Sequence, residues 1–332
     1  MTKADLCAAI LWTGATLYAV FGGADFGGGL WDLIAGDAEK GERPRARIQR
    51  SLTPVWEANH VWLIFILVVL WTAFPEAFGA LMSTLYVPLA LAAVGIVLRG
   101  AGFAFRKSIE SLQARRAMGA AFALSSVLTP FFMGTVVGAV AAGNVPAEGN
   151  GDALSSWLAP LPLLTGALFV ATGAYLAAVF LIVDSRRDGD AEMEDYFARR
   201  ALAAGLAAGA VAVAGILVLH ADARYVYDRI VAEGLPLVIV SAICGLGVLV
   251  QLARGARRGL RPLAIGAVVA VIWGWGVAQF PYLLPTSLKI SESAAPAPTL
   301  DAVLVVFGAA VLVVLPALGL LYWLTQRELL GD

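Results

Sequence analysis

The sequence predicts an all-α polytopic membrane protein, and three observations predict it. The chain of 332 residues is 60% hydrophobic and 14% charged, with a mean hydropathy of +0.82, far from the composition of a soluble domain. Apolar runs of roughly 20 residues, enough to cross a ~30 Å hydrocarbon core, recur along its whole length. The basic residues gather between alternate runs, as they do when one side of a bilayer collects them.

The runs fall at 7–35, 52–73, 78–98, 117–142, 159–184, 201–220, 236–254, 262–282 and 301–324, nine transmembrane helices in a single integral membrane domain spanning 1–332. The first lacks a basic n-region and an A-x-A cleavage site, so it reads as a retained span rather than a signal peptide. The basic loop 36–50 follows. "FPEAF" at 74–78 is short enough for a tight hairpin, which makes spans two and three antiparallel neighbours. "GNVPAEGNGD" (143–152) and "SESAAPAPT" (291–299) read as flexible loops. No connection is long enough for a soluble domain. The predicted arrangement is two four-helix bundles plus one peripheral helix.

Of the 23 Lys and Arg, all but Lys3, Arg224, Arg229 and Lys289 fall in segments 36–50, 99–116, 185–200 and 254–262 and in the C-terminal tail. Nine spans place all of these on one side. By the positive-inside rule the N-terminus is outside and the C-terminus cytoplasmic, as in a multi-pass protein of a bacterial plasma membrane. The net charge of −1 gives no bulk attraction to nucleic acid. Cys7 and Cys244 lie on separate apolar runs and form neither a disulfide framework nor a CxxC pair.

The chemistry lies in polar residues inside apolar runs, where an ionisable group is expensive and marks a pathway or a partner. "GGADFGGGLWD" (22–32) sets Asp25 among glycines whose first reading is close helix packing. Asp25 lies about 10–15 Å from the inner end of span one at 1.5 Å per residue. "PVWEANHVWLI" (54–64) opens span two with Glu57, Asn59 and His60. Glu57 lies a few residues inside from the same side, so the two carboxylates reach similar depth. They read as an entrance for cytoplasmic protons, or as two buried acids satisfied by neighbouring donors.

Glu57 and His60, three residues apart, share a helix face and match the Glu-x-x-His spacing of di-metal bundles. Such a site needs the motif twice and two further Glu. The only histidines are His60 and His220, at opposite sides of the predicted membrane. No metal and no haem held by this chain alone is therefore expected, and His60 reads as an interior hydrogen-bonding or proton-relay residue. Trp31, Trp56, Trp71, Trp157, Trp273, Trp275 and Trp323 read as an interfacial belt. Trp62, deeper in its span, must face protein. Arg99 reads as a snorkelling residue at the end of span three.

"ADFGGGLWDL", "PVWEANHVWLI", "FPEAFGALMSTLYVPLALAAVGIVLRGAGFAFR" and "FPYLLPTS" (280–287) together resemble subunit II of the cytochrome bd quinol oxidases, in order and spacing over the whole chain. The resemblance implies a pseudo-symmetric heterodimer with a haem-bearing subunit I, which carries haems b and d. That complex takes quinol and O2 as substrates and draws protons for water from the cytoplasm, building a proton-motive force without pumping. This chain would not be catalytic by itself. The resemblance further implies an acid at Glu57 on a hydrophilic path, with Asp25 in the same region, and an apolar O2 route past Trp62. A second acid that some members carry three residues before Asp25 is Gly22 here. The plan leaves room for a structural quinone in this chain and for a small accessory subunit. Membrane acids with Gly-rich breaks also suit a proton-coupled secondary transporter, and a purely scaffolding subunit is a third reading.

Overall fold

A computed structural model describes residues 1–37, 39–52, 56–105 and 112–326 of the chain. Helix α1 (Lys3–Leu17) starts with a capping box, in which the Thr2 hydroxyl accepts from Asp5 N–H and the Asp5 carboxylate accepts from Thr2 N–H. A five-residue π-helical step, Tyr18–Gly22, then leads into α2 (Gly23–Leu33) without ending the rod. The Arg-rich α3 (Glu42–Leu52) precedes α4 (Trp56–Ala73). Pro75, at the first turn of α5 (Pro75–Thr84), fits a helix start. Here the chain bends by 118° around the fully buried Phe74. A second break at Leu85 precedes α6 (Tyr86–Phe105). Then come α7 (Leu112–Ala141), α8 (Pro160–Arg187), α9 (Ala191–Asp222) and α10 (Arg224–Arg229). A second π step, Ile230–Gly234, joins α10 to α11 (Leu235–Ala253), and α12 (Leu260–Gln279) follows. A hairpin of β1 (Tyr282–Leu284) and β2 (Leu288–Lys289) leads to α13 (Ala297–Gln326).

Among the described residues, seven helices are long and apolar enough to cross a membrane, and the bent pair Asn59–Ala73 and Pro75–Thr84 makes an eighth if counted as one span. Tyr86–Gly102 is a shorter apolar helix. The run read from sequence as 78–98 is therefore divided: its first residues belong to α5, and α6 extends to Phe105. Nor are α4 and α6 antiparallel neighbours. Among the described residues α4 packs mainly on α1 and the π step that follows it, and α6 lies along α7. The turn expected at 74–78 is a helix of its own.

Small residues explain the centre of the fold. Helix α8 packs on α2, α7, α9 and α12. A Cβ at Gly27 would overlap the carbonyl oxygen of Gly173, and one at Gly134 would lie 2.7 Å from Gly166 Cα. Backbones this close maximise dispersion contact between helices that gain no hydrophobic energy from leaving lipid. Trp31, expected at an interface, is instead core: its Nε1–H donates to the Ala174 carbonyl at 2.8 Å. Trp157 is likewise buried.

Ion pairs bring three of the basic segments to one face. From α3, Arg43 pairs with Asp190 and Glu192, and Arg47 with Asp188. Arg257 meets Asp195 at 2.8 Å, and Arg261 pairs with Asp184. At the opposite end Lys3 meets Asp301 at 2.6 Å. There the segments read as flexible form a packed cap. Gly151 N–H donates to Thr84 Oγ1 at 3.1 Å, Ala77 N–H to Ser293 Oγ at 3.1 Å, and Ala295 N–H to the Ala73 carbonyl at 2.9 Å.

Candidate functional site

Asp25 lies in the first turn of α2, three residues past the π step, and is completely buried. Its Oδ1 accepts from Arg99 Nη2 at 2.8 Å, and the same nitrogen donates to the Asp25 backbone carbonyl at 3.0 Å. Arg99, 2% exposed, donates through Nη1 to Ser126 Oγ. Its guanidinium stands 5.0 Å from the Phe26 ring centroid and 4.5 Å from that of Phe122. One cation thus ties α2, α6 and α7 together. Glycine makes the room: a Cβ on Gly29 would overlap Ser126 Oγ and come within 2.8 Å of Arg99 Nη1.

Arg99 is the residue that sequence reading misplaced. It is no snorkelling side chain but the buried counter-ion of Asp25. The signal was the apolar stretch "GAGFAF" after it, which keeps Arg99 well inside α6 once the helix start moves to Tyr86. Ser126 gave no comparable signal, because hydroxyl side chains are common in membrane helices and Ser125 stands beside it.

The other expected residues open α4. Glu57 occupies its first turn, and the Glu57 side chain lies outside the described residues. Asn59 is buried, and the His60 ring meets Phe26 edge-on at 5.9 Å. Phe26 thus touches both His60 and Arg99 and joins the two polar groups through one ring. This contact sets the levels: Glu57 is one turn from His60 toward the α3 end, and Asp25 one residue from Phe26 away from it. Trp62, half-buried, lies edge-on to Phe65 at 6.4 Å. His220, exposed at the far end of α9, has its Nε2 2.6 Å from Arg224 Nη1, and the fold does not bring it to His60.

Lipid-length helices packed tightly around a buried Asp–Arg pair define a polytopic membrane protein with charge held inside its helix bundle. A model of the cytochrome bd terminal oxidase subunit II family matches residues 4–325, and the chain belongs to that family. It is 26% identical over 312 residues to the cytochrome bd-I ubiquinol oxidase subunit 2 of Escherichia coli (strain K12), covering 83% of this chain and 80% of that one. A shorter match, 27% identical over 114 residues, relates it to the cytochrome bd ubiquinol oxidase subunit 2 of Bacillus subtilis (strain 168); it spans 34% of this chain and 33% of that protein. The fold is that of a chain in the solved bd oxidase of Geobacillus thermodenitrificans, with a TM-score of 0.77, 24% identity and full coverage of both chains.

Proposed function

We propose that this chain partners a haem-bearing subunit I in a bd-type quinol oxidase and delivers cytoplasmic protons toward the partner's O2-reducing site. The observation that carries this reading is the family match over residues 4–325. The polar line from α4 to α6 supports it. Glu57 is the entrance, Asn59 and His60 hold the first turn of the path, and Asp25 is its inner carboxylate, bound by Arg99 at one oxygen. Asp25 Oδ2 has no hydrogen-bond partner among the described residues, so this oxygen is available to a passing proton. The haems, bound by the partner, supply the electron transfer and O2 chemistry; this chain's residues bind, orient and move protons.

Two exposed apolar stripes suit a partner of the same thickness: Val61, Ile64 and Val68 on α4, and Leu91, Val94 and Val97 on α6. Trp62 flanks the first stripe and borders the route by which O2 would arrive. In this reading the bent pair and Tyr86–Gly102 are also passes. The count is then nine, arranged as two four-helix groups with α13 peripheral, the N-terminus outside and the C-terminus cytoplasmic.

The test is a redox difference spectrum of the chain purified with whatever remains bound. A second polypeptide of similar size and haem bands support the oxidase. A colourless, self-sufficient chain with ion-dependent uptake activity would make it a transporter instead. His60→Ala should leave every haem band in place, and loss of one band from a still-associated complex would make His60 a ligand.

A further inference from the structure

The π step before α2 raises a question that the ion pair does not answer. It carries Tyr18, whose hydroxyl is shut off from solvent and has no hydrogen-bond partner among the described residues. The same is true of Asp25 Oδ2 and Arg99 Nε. Three polar atoms of one neighbourhood are left unsatisfied at membrane depth, where a buried polar group without a partner is costly.

Their placement on one helix face explains how they come together. Gly22, Asp25 and Gly29 are spaced i, i+3, i+7 and so share a stripe. The Tyr18 ring lies over the first of these, since a Cβ at Gly22 would come within 2.8 Å of its Cδ2 and Cε2. Arg99 lies over the last, with Nη1 2.8 Å from a Cβ at Gly29. Asp25 stands between them. The ring therefore leans along the helix toward Asp25 rather than back toward its own N-terminus, the usual direction for a helical side chain. Gly22 and Asp25 are about 4.5 Å apart along the axis, within reach of a phenol lying over Gly22. Tyr18 also interacts electrostatically with both Asp25 and Arg99. A side chain at position 22 would displace the ring, so the glycine is required for this arrangement.

We propose that Tyr18 Oη, Asp25 Oδ2 and Arg99 Nε hold one internal water, and that Tyr18 is the positioning residue for the inner carboxylate. A water needs two to four polar partners. This site offers an acceptor at Oδ2, a donor at Nε and a hydroxyl that serves as either. The division of labour follows. Oδ1 stays with the guanidinium and fixes the carboxylate, while Oδ2 is kept hydrated: a proton arriving on the water as hydronium passes to Oδ2, leaving neutral water and a neutral carboxyl. The hydroxyl orients that water and ends the step unchanged.

The functional part rests on Asp25 belonging to a proton path, whereas the water site does not. The experiment separates the two. Asp25→Asn, Tyr18→Phe and Gly22→Ala are prepared in the assembled complex and compared by infrared spectroscopy, thermal stability and quinol-dependent O2 uptake per haem. Asp25→Asn identifies the carboxylate stretching band of Asp25 by removing it. Tyr18→Phe keeps the ring and should keep the melting temperature, yet should shift that band and slow uptake about tenfold, the scale of one lost hydrogen bond to a charged group. Gly22→Ala should shift the band similarly, and adding it to Tyr18→Phe should slow uptake no further. An unshifted band in Tyr18→Phe overturns the water site whatever the uptake. A shifted band with normal uptake in both Tyr18→Phe and Asp25→Asn overturns the proton path and leaves the water site standing.

Discussion

Two Arg–Asp pairings in this molecule have the same chemistry and opposite settings. Asp25 and Arg99 meet at 2.8 Å with 0% and 2% of their side chains exposed; Arg43 and Asp190 meet at 3.2 Å with 33% of the Asp and 57% of the Arg exposed. The buried pair is surrounded by aromatic rings and by helices packed through glycine. The exposed pair lies on the Arg-rich face, where water and salt compete for both charges. Burial makes an ion pair costly to assemble and far costlier to break, because removing one partner leaves a charge without compensation. Exposure makes it close to neutral in either direction. The difference assigns the first pair to site architecture and the second to how α3 is held against the turn between α8 and α9.

The largest effect should come from unpairing the buried charge. Asp25→Asn or Arg99→Gln alone should destabilise the chain by about 3–5 kcal/mol, seen as poor yield and early thermal unfolding in detergent. The double variant Asp25→Asn/Arg99→Gln should recover part of that loss, since no net charge is then buried. Equal and fully additive losses would mean that the pair is not coupled as its geometry implies. Uptake measured per haem in the material that does assemble then reports the proton role apart from the structural one.

The space around the pair comes next. Gly29→Ala puts a methyl group into Ser126 Oγ and Arg99 Nη1 and should cost about 1–3 kcal/mol as an overpacked core. Gly100→Ala, on the same helix as Arg99 but with nothing within 4 Å of its added Cβ, should be nearly silent. Similar losses at both sites would show that helix propensity rather than fit is being read.

At Glu57 the effect should be on rate rather than stability. Glu57→Gln keeps the polar side chain but cannot hold a proton, so quinol-dependent O2 uptake per haem should fall, and Glu57→Asp should lose less. Combined with Asp25→Asn, the loss in log rate should be less than the sum if one path serves both. Uptake in Glu57→Gln equal to the parent would remove Glu57 from the path.

How far the sequence could be read follows the same contrast between inside and outside. Asp25 stood out because a carboxylate among apolar residues is anomalous in one dimension. Its partner did not, because Arg99 looked ordinary once the third run was framed to start at 78. Framing failed there for a physical reason: apolar content does not distinguish α5 from α6, and the break at Leu85, unlike the one that "FPEAF" marks, is a tertiary feature of the capped end of α5. The loops 143–152 and 291–299 were misread in the same way. Their Gly, Pro and Ser content suggests looseness, yet their hydrogen bonds go to Thr84, Ala73 and Ala77, which are distant in sequence. Hydropathy and charge asymmetry are local sums and survive such errors, so the membrane class and the gathering of Arg on one face were legible from the start.

The smallest predicted effect separates two arginines on one turn of α3. Arg43 and Arg47 are spaced i, i+4 and face the same segment, 188–192. Arg47 is only 8% exposed and pairs with Asp188, whereas Arg43 is 57% exposed and pairs with Asp190 and Glu192. Salt weakens interactions between exposed charges, with a Debye length of about 10 Å at 0.1 M and shorter at higher salt, and acts much less on buried ones. Arg47→Gln should therefore lower the melting temperature at low and high salt alike, by the equivalent of about 1–3 kcal/mol for a lost charge-assisted bond in a partly buried setting. Arg43→Gln should give at most a slight decrease in low salt that vanishes at high salt. Melting curves of the two variants and the parent at two ionic strengths make the measurement. Equal shifts with equal salt dependence would mean that burial does not separate these two pairs, and the distinction between a structural and a surface ion pair would have to rest on Asp25 and Arg99 alone.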